Sequence, residues 1–544
     1  MNRARAVRYD NGDMEKEIAQ YDLSQAHAVH FVRNYQNRSV TENGALGLKT
    51  SGHSLLDLHF QVSSLRSSTP HYIIYSFIKA FYENRHYAVK WLFYLRDIAE
   101  GLGERRSFRI CLQYLAKAHT EIAREIMELI PDYGRYDDLL SYLDTPLEAE
   151  VCAYIGRLLR EDQEAMKAGK PISLLAKWLP SINTSSHKTR TMAAKLCRQL
   201  GMTPGKYRKT LSALRAYLDV LEVKLSTSAW DNVDYERVPA KANMKYNEAF
   251  LRHDEQRRVD YLYKAFQGED KINSNGLMPY EIVHKMVGTE YWRSNVIKSN
   301  LMCELLWKRL LEDGFQNEWG LEDCIVVADG SGSMYCYASG SNTVTAIEVC
   351  HSLAIYFAAQ LKGIFRDKVI SFSERPQLID LSQGKGLREK LEILQAYDEA
   401  ANTDIQAVFR LLLDMAVSHQ VPAEQIPKQV LIISDMEFDE ATYDYEESEH
   451  REAFDQTLFE AISEEFAQAG YPMPRLIFWN VCGRSNTIPT VKGDQGVCLL
   501  SGFSQNAVKV AAHKEIQDPY ESLIRMLDAL RYEPVEKALG KLAV

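Results

Sequence analysis

The interpretation of this sequence of 544 residues depends on one stretch, Cys324-Ile325-Val326-Val327-Ala328-Asp329-Gly330-Ser331-Gly332-Ser333. A short, continuous apolar run is typical of a buried parallel strand, and the Gly-rich turn after it lies where open α/β sheets place their ligands. A carboxylate and two hydroxyls at positions i, i+2 and i+4 of that turn can point at one spot. The stretch therefore predicts the first strand of an α/β domain, with a polar site at its carboxyl end.

Downstream of this stretch, apolar strands alternate with helices. The pattern predicts strands at 368–372, 377–381, 430–433, 476–480 and 497–500, and helices at 345–361, 385–396, 404–418 and 450–469. Alternation of this kind favours a doubly wound parallel sheet. We expect this α/β domain to occupy residues 321–544.

Upstream of the same stretch, residues 1–320 predict an all-α domain. Apolar residues recur at spacings of three and four over 71–95, 107–130, 146–160, 189–200, 207–224 and 297–313. Helix pairs that follow one another suggest stacked hairpins, an α-solenoid of HEAT-like repeats. No fixed period is visible, so this assignment depends on the succession of helices alone.

The turn after the predicted strand is the strongest candidate for chemistry. Oxygen-only ligands suit a hard cation such as Mg²⁺. A second loop is expected to add the hydroxyl of Thr403, which opens a helix, and a third the carboxylate of Asp435, which directly follows a strand. The alternative is a Gly/Ser turn in which the aspartates only cap backbone groups.

The order of these elements, with DxSxS after the first strand, Thr before a helix and Asp after a later strand, resembles the metal-ion-dependent adhesion site of the von Willebrand factor A fold. The resemblance implies that the metal is surrounded by Asp329, Ser331, Ser333 and Thr403, with Asp435 bound directly or through water. It also implies an open metal position that a partner's acidic group can fill. The sequence departs from the family at Met436, where many members have glycine.

Other stretches carry a wider resemblance, which covers nearly the whole chain. They include Glu42-Asn43-Gly44-Ala45-Leu46, Leu95-Arg96-Asp97, Tyr133-Gly134-Arg135-Tyr136-Asp137-Asp138, Ala176-Lys177-Trp178-Leu179-Pro180 and Phe478-Trp479-Asn480-Val481. They resemble the Ro-related family called domain of unknown function 2828 and, more broadly, the TROVE architecture of the Ro autoantigen. In TROVE proteins helical repeats form a ring that an A domain closes, and the ring binds small non-coding RNAs and RNA ends. The closer family has no settled activity, so RNA binding is implied only through the TROVE relation.

Charge is distributed unevenly along the chain. Residues 1–320 hold 45 basic and 40 acidic side chains, residues 321–544 hold 19 and 34, and residues 151–252 alone hold 18 and 9. The asymmetry suggests a polyanionic partner for the helical part, although a solvated basic face would look the same. Trp178 and Tyr207 are aromatics that could stack on unpaired bases. The candidate RNA contacts are Lys177, His187, Lys188, Arg190, Lys195, Arg198, Lys206, Arg208 and Lys209.

A second basic turn, Gly101-Leu102-Gly103-Glu104-Arg105-Arg106, could meet phosphate at a helix start. It lacks the Lys-Ser/Thr pair that completes a P-loop. A structural turn is therefore the expected interpretation.

Several other classes of protein are disfavoured. Nine scattered cysteines without a CxxC pair predict reduced core thiols rather than zinc ligands or a disulfide framework. No secretory signal and no apolar run of about 18 residues is found, so we expect a cytoplasmic protein without a membrane span. No nucleophile–base arrangement stands out, and one ion with mostly hydroxyl ligands does not make a two-metal hydrolase. We expect a non-enzyme.

The expected function is RNA binding by the helical domain, of small non-coding or single-stranded RNA. The A domain is expected to add a Mg²⁺-dependent contact to a protein partner. The alternative is a protein-interaction adaptor of an ATPase or a defence complex that binds no nucleic acid.

Overall fold

The structure is a computed structural model. It describes residues 37–40, 46–287, 297–315, 321, 323–373, 375–398, 404–437, 456–483, 496–511 and 518–542. The chain consists of an N-terminal helical region followed by a C-terminal mixed α/β sheet.

The helical region begins with a short antiparallel hairpin of β1 (Arg38–Val40) and β2 (Leu46–Leu48). Helices then follow one another and pack as neighbouring pairs. They are α1 (Ser54–Phe60), α2 (Val62–Leu65), α3 (Pro70–Glu83), α4 (Arg85–Arg96), α5 (Arg106–Ala118), α6 (Thr120–Ile126), α7 (Ile130–Tyr133), α8 (Glu148–Lys167), α9 (Leu175–Trp178), α10 (His187–Gln199), α11 (Pro204–Tyr217), α12 (Leu221–Ser226), α13 (Ala240–His253), α14 (Glu255–Gln267), α15 (Pro279–Val287) and α16 (Leu301–Gly314). Helix succession is confirmed, whereas the HEAT-like assignment stays a prediction.

Local capping divides apolar runs that periodicity alone joins together. The predicted helix 71–95 is two helices, because Asn84 is extended and its side chain accepts the backbone N–H of Tyr87 at 3.2 Å. An N-cap of this kind satisfies a helix start that has no intrahelical partner. Thr203 caps α11 in the same way, with Pro204 at the first helical position.

The α/β domain holds a six-stranded sheet in the order β5-β4-β3-β6-β7-β8. Its strands are β3 (Cys324–Asp329), β4 (Lys368–Phe372), β5 (Leu378–Asp380), β6 (Gln429–Ser434), β7 (Arg475–Asn480) and β8 (Val497–Ser501). All neighbours are parallel except β5, which pairs antiparallel with β4. Every residue of β3, β6, β7 and β8 is buried, so both faces of the sheet are covered.

The helices of this domain are α17 (Ala346–Gln360), α18 (Leu387–Gln395), α19 (Ile405–Ser418), α20 (Gln456–Gln468), α21 (Pro519–Leu527) and α22 (Glu533–Gly540). All but the last residue of α17 is buried, because this helix lies between the sheet and helices α15 and α16 of the helical region. A helix that is apolar on all sides is expected in such a position. The predicted strands and helices of this part are confirmed with shifts of one or two residues at their ends, except that residues 450–455 of the predicted helix 450–469 lie outside the described residues.

Both ends of the helical region contact the α/β domain. At the N-terminal end, α1 packs on β8, while α21 and α22 pack on α4. Polar contacts cross this seam: Ser63 Oγ donates to the Asn480 carbonyl at 2.7 Å, and Arg531 Nε donates to Asp97 at 2.8 Å. At the other end, α15 and α16 pack on α17. The two parts therefore share one continuous apolar core.

Within the described ranges, no helix combines the length and the apolar composition needed to cross a membrane.

Candidate functional site

The turn after β3 brings its two serine hydroxyls together. Ser331 Oγ lies 3.0 Å from Ser333 Oγ, and the backbone N–H of Ser331 donates to Asp329 Oδ1 at 2.9 Å. A 3-10 helix, Gly332–Tyr335, continues the turn. Gly332 is exposed and Ser333 is half-buried, so the turn reaches the protein surface.

The end of β6 brings a second carboxylate to the same edge of the sheet. Ser434 Oγ donates to Asp329 Oδ2 at 2.5 Å, which ties the end of β6 to the end of β3. Asp435 is buried, and its Oδ1 accepts the backbone N–H of Glu437 at 3.2 Å. Met436 has a φ of 63°, in the left-handed region that favours glycine. The backbone thus keeps a glycine-like conformation where the sequence departs from the von Willebrand pattern.

The two carboxylates oppose each other's ionisation. Asp329 and Asp435 are each 1% exposed. Burial raises the pKa of the Asp329 carboxyl and the charge of Asp435 raises it further, whereas hydrogen bonds from Ser434 and Ser331 lower it. A divalent cation at this edge would reverse the balance and favour both carboxylates in their charged form.

A third carboxylate, that of Asp398, contacts both the turn after β3 and the helix α17. Asp398 Oδ2 accepts the Tyr335 hydroxyl at 2.7 Å, and its Oδ1 lies 3.1 Å from His351 Nε2. A Cβ on Gly330 would lie 2.6 Å from Asp398 Oδ1 and 3.1 Å from its Cα. A larger residue at position 330 would therefore push the turn away from Asp398.

The donor set at this edge fits one hard cation. Four of the five predicted ligands lie in the described ranges, and the fifth, Thr403, lies outside them. Among the described residues, no group of three or more His, Cys, Asp or Glu side chains is arranged to hold a metal ion. The predicted site instead combines two carboxylates with serine hydroxyls, and Mg²⁺ takes few protein oxygens of this kind together with several waters.

A second candidate site is a cavity of about 1730 Å³ between the helical region and the α/β domain. Ten Lys or Arg side chains and five Asp or Glu side chains line it, so its wall has an excess of positive charge. The basic side chains are Arg66, Arg96, Arg105, Arg106, Arg135, Lys177, Arg215, Lys241, Lys245 and Lys509.

Several of these cations hold the wall together. Arg96 Nε donates to the buried Asp138 at 2.8 Å. Arg106 donates to three backbone carbonyls of the turn 65–68, and Arg215 donates to the carbonyls of residues 176 and 179. These side chains are therefore engaged in bonds within the protein, and the bonds hold the wall of the cavity in place.

Around Trp178, Arg105 and Lys177 make no such contact within the described part of the chain, whereas Arg135 donates to Asp137 at 3.0 and 3.1 Å. The Arg105 side chain is exposed and makes no hydrogen bond within the described part of the chain. Burial of part of its guanidinium lowers the pKa of Arg105, and the charges of Arg135 and Arg109 lower it further. Arg135 Cζ lies 4.0 Å and Lys177 Nζ 5.5 Å from the Trp178 ring centroid. An anion bound here would relieve the repulsion among these cations.

The structure separates the nine predicted RNA contacts into two groups. Lys177 lines the cavity. The other eight lie on α10 and at the start of α11, and they are absent from the cavity lining. Arg190 donates to the carbonyls of residues 184 and 185, and Lys195 lies 2.5 Å from Glu148, so these two are already engaged. His187, Lys188, Arg198, Lys206, Arg208 and Lys209 are exposed.

The expectation that Tyr207 could stack on a base is wrong. Tyr207 is buried, and its hydroxyl donates to the Pro180 carbonyl at 2.9 Å. It belongs to the buried stripe of α11 with Leu211 and Leu214, as its helical spacing from them requires. Trp178 is half-buried and does line the cavity.

Sequence analysis did not select Arg105 and Arg135 as RNA contacts. The structural interpretation of the turn Gly101–Arg106 agrees with Arg106, whose guanidinium donates to three backbone carbonyls, while Arg105 lines the cavity. The two neighbouring arginines at the end of that turn are the sequence feature that could have indicated a basic surface there. Only the folded chain shows that both arginines line the cavity and that Arg135 lies over the ring of Trp178.

Two thiols lie in contact near the candidate metal turn. Cys336 Sγ lies 3.6 Å from Cys482 Sγ, and this interaction lowers the pKa of the Cys482 thiol. All nine cysteines lie in the described part of the chain and none is in a disulfide, as expected. Their sequence spacing did not indicate this pair.

Two family models match separate parts of the chain. Residues 203–316 match the domain of unknown function DUF2828, and residues 323–536 match the domain of unknown function DUF7788. The first match confirms the expected similarity to domain of unknown function 2828 within one part of the helical region. It covers a smaller share of the chain than the resembling stretches suggested.

The chain also has a full-length relative and a neighbour among solved structures. It is 28% identical over 536 residues to Uncharacterized protein L728 of Acanthamoeba polyphaga mimivirus, covering 92% of this chain and 89% of that protein. The crystal structure of the Deinococcus radiodurans Ro (RSR) protein superposes with a TM-score of 0.42 at 12% identity, covering 80% of this chain and 92% of that one. A superposition at this score does not by itself assign a fold or a function.

Proposed function

We propose that this chain is a non-enzymatic scaffold that binds small non-coding or single-stranded RNA. The observation that carries the proposal is the cavity between the two parts of the chain, whose wall has twice as many basic as acidic side chains. Its volume of about 1730 Å³ exceeds the roughly 300–1,000 Å³ of ordinary small-molecule pockets. A net positive wall of this extent suits a polyanion that several cations contact at once.

Within the cavity, the group around Trp178 suits a single strand better than a duplex. Arg105 and Lys177 can neutralise phosphates, and the indole of Trp178 can stack on an unpaired base. Bases in a duplex are already stacked on one another, so an aromatic contact favours loops and free ends. The exposed cations of α10 and α11 provide a second, outer surface for the same RNA.

The test is ultraviolet crosslinking of the native protein in its host, followed by sequencing of the RNA that co-purifies. We expect enriched RNA, with crosslinked peptides from the cavity wall. A protein that carries no nucleic acid would contradict the proposal and favour the protein-interaction adaptor.

We also propose that the α/β domain is a von Willebrand A domain with a Mg²⁺ site. Support comes from the carboxyl-edge turn after the central strand β3 and from the 3.0 Å approach of the Ser331 and Ser333 hydroxyls. Asp329, Ser331, Ser333, Thr403 and Asp435 would hold the ion. When bound, the ion offers an open position to a carboxylate of a protein partner.

Calorimetry tests this site directly. Asp329→Ala is expected to abolish Mg²⁺ binding by the full chain, whereas Glu424→Ala, an exposed carboxylate of the same domain, is expected to leave it unchanged. If Asp329→Ala binds Mg²⁺ as tightly as the wild type does, the site is misplaced.

A further inference from the structure

We propose that Cys336 and Cys482 form a modification site, a dithiol that a peroxide converts reversibly to a disulfide. Cys336 directly follows the 3-10 helix Gly332–Tyr335, which continues the candidate metal turn. Cys482 lies two residues beyond the end of β7. A bridge would therefore join the loops after two strands, across the end of β6 that lies between them.

The geometry allows the bridge to form with small movements. The two sulfurs are 3.6 Å apart, and a disulfide bond is about 2.05 Å long, so they must approach by about 1.5 Å. The segment of Cys482 is held close to that of Cys336: its N–H donates to Asn480 Oδ1 at 3.0 Å, and its Sγ lies 3.7 Å from the Tyr337 carbonyl. The backbone N–H of Cys336 donates to the Ser333 carbonyl at 3.2 Å, so the segments of both thiols are held in place before reaction.

Access to the two thiols is unequal. Cys336 is partly exposed, whereas Cys482 and the other seven cysteines are buried. A peroxide from solvent meets Cys336 first, and the buried Cys482 is positioned to resolve the product. Selectivity among nine cysteines follows from this combination of exposure and proximity.

The chemistry balances with hydrogen peroxide as the oxidant. The Cys336 thiolate attacks one peroxide oxygen, the O–O bond breaks, and hydroxide leaves, which gives a sulfenic acid. The Cys482 thiolate then attacks that sulfur and a second hydroxide leaves as the S–S bond forms. The two hydroxides take the two thiol protons, so two thiols and one peroxide give one disulfide and two waters. A small thiol reverses the reaction by exchange.

The modification has a consequence for the metal turn, which rests on the proposed Mg²⁺ site. Ser333 lies three residues before Cys336, so movement of Cys336 toward Cys482 displaces a proposed ligand. Mg²⁺ demands near-ideal octahedral geometry. We therefore expect the bridged protein to bind Mg²⁺ at least about tenfold more weakly, a cost of about 1.4 kcal/mol.

The experiment treats the full chain with hydrogen peroxide, blocks remaining thiols with N-ethylmaleimide, and maps peptides without reduction. The expected result is a peptide pair joined by Cys336 and Cys482, lost after dithiothreitol. Cys336→Ser and Cys482→Ser should each abolish the pair, whereas the matched variant Cys197→Ser, a buried thiol on α10, should retain it. The proposal is overturned if Cys336 and Cys482 of the wild-type protein are both found alkylated after peroxide treatment. It is also overturned if other cysteines form the bridge instead.

Calorimetry with Mg²⁺ on the reduced and the bridged protein separates the proposed disulfide from its proposed effect on Mg²⁺ binding. Weaker binding after bridging supports the link to the metal. Equal binding overturns that link while the mapped disulfide stands. A reduced protein that binds no Mg²⁺ removes the proposed metal site, and the peptide map still decides whether the thiols are a modification site.

Discussion

Buried carboxylates have opposite surroundings behind the cavity wall and at the carboxyl edge of the sheet. The fully buried Asp138 is not part of the cavity lining, but it accepts Nε of Arg96, which lines the cavity, at 2.8 Å, and Arg109 Nε at 2.6 Å. At the sheet edge, the buried Asp329 accepts a serine hydroxyl and a backbone N–H and lies near a second carboxylate, Asp435. Asp138 is thus paired with two guanidinium groups next to a wall with excess positive charge, whereas Asp329 has only neutral hydrogen-bond donors. The two sites are therefore suited to ligands of opposite sign.

The largest expected effect is on the free energy of unfolding, when either Asp138 or Asp329 is replaced by alanine. Asp138→Ala leaves Arg96, which is 2% exposed, without its partner, and should lower the free energy of unfolding by about 3–5 kcal/mol. Asp329→Ala should lower it by less in metal-free buffer, because relief of the repulsion from Asp435 offsets part of the cost of the hydrogen bonds lost from Ser434 and Ser331. Urea denaturation measures both, with the exposed Glu164→Ala as the control. Equal losses in the two variants would remove the contrast between the regions.

The pH dependence of stability sharpens the same contrast. The folded-state pKa of Asp329 is raised above its unfolded value of about 3.9, so the folded state binds more protons between these two values. The free energy of unfolding of metal-free wild type should therefore fall, relative to Asp329→Ala, as pH rises from about 4 toward neutral. Denaturation at several pH values, with and without Mg²⁺, checks this. A difference between the two proteins that stays constant with pH would contradict it.

A smaller effect is expected from the aromatic group on the cavity wall. Trp178→Ala should weaken single-stranded RNA binding by about 1–3 kcal/mol, roughly 5- to 150-fold, because one base loses its stacking partner. Tyr263→Ala is the matched control, since Tyr263 is an exposed aromatic residue outside the cavity lining. Fluorescence anisotropy with a labelled strand measures both. Unchanged affinity in Trp178→Ala would move the RNA away from this part of the wall.

The smallest effect for each replaced side chain is expected on the outer surface of α10 and α11. Replacing Lys188, Arg190, Arg208 and Lys209 with Ala should flatten the slope of log affinity against log salt by at most about 2 units. Each phosphate contact on a single strand contributes about 0.7, and Arg190 is already bound to backbone carbonyls. Titrations at several salt concentrations give the slope. A larger change, with the cavity variants unaffected, would make the outer surface the main RNA site.

Local patterns in the sequence predicted the sheet edge well. The strand β4 has the predicted bounds, Lys368–Phe372, because a buried strand between polar turns is legible from a few neighbouring residues. The DxSxS turn was visible for the same reason, since its three polar side chains lie within five residues. Helix bounds were less predictable where one capping residue such as Asn84 interrupts an apolar run.

The cavity and the thiol pair could not be predicted in the same way, because tertiary packing assembles them. Cys336 and Cys482 are 146 residues apart in sequence, and no periodicity connects them. Basic residues dense in sequence, such as Lys206 and Arg208, proved to lie on the outer surface. Charge density along a chain indicates a partner of opposite sign, but it does not indicate which side of a helix faces an enclosed space.

The most direct test of the central claim, that the cavity wall binds RNA, is the salt dependence of RNA affinity in Arg105→Ala/Lys177→Ala. This double variant should bind more weakly at about 50 mM salt and flatten the slope by about 1.4 units, if each side chain neutralises one phosphate. The charge-matched control Lys308→Ala/Lys362→Ala, two exposed lysines outside the cavity lining, should keep the wild-type slope. A double variant whose affinity and slope equal those of the wild type would contradict the account, as would a wild type that binds no RNA.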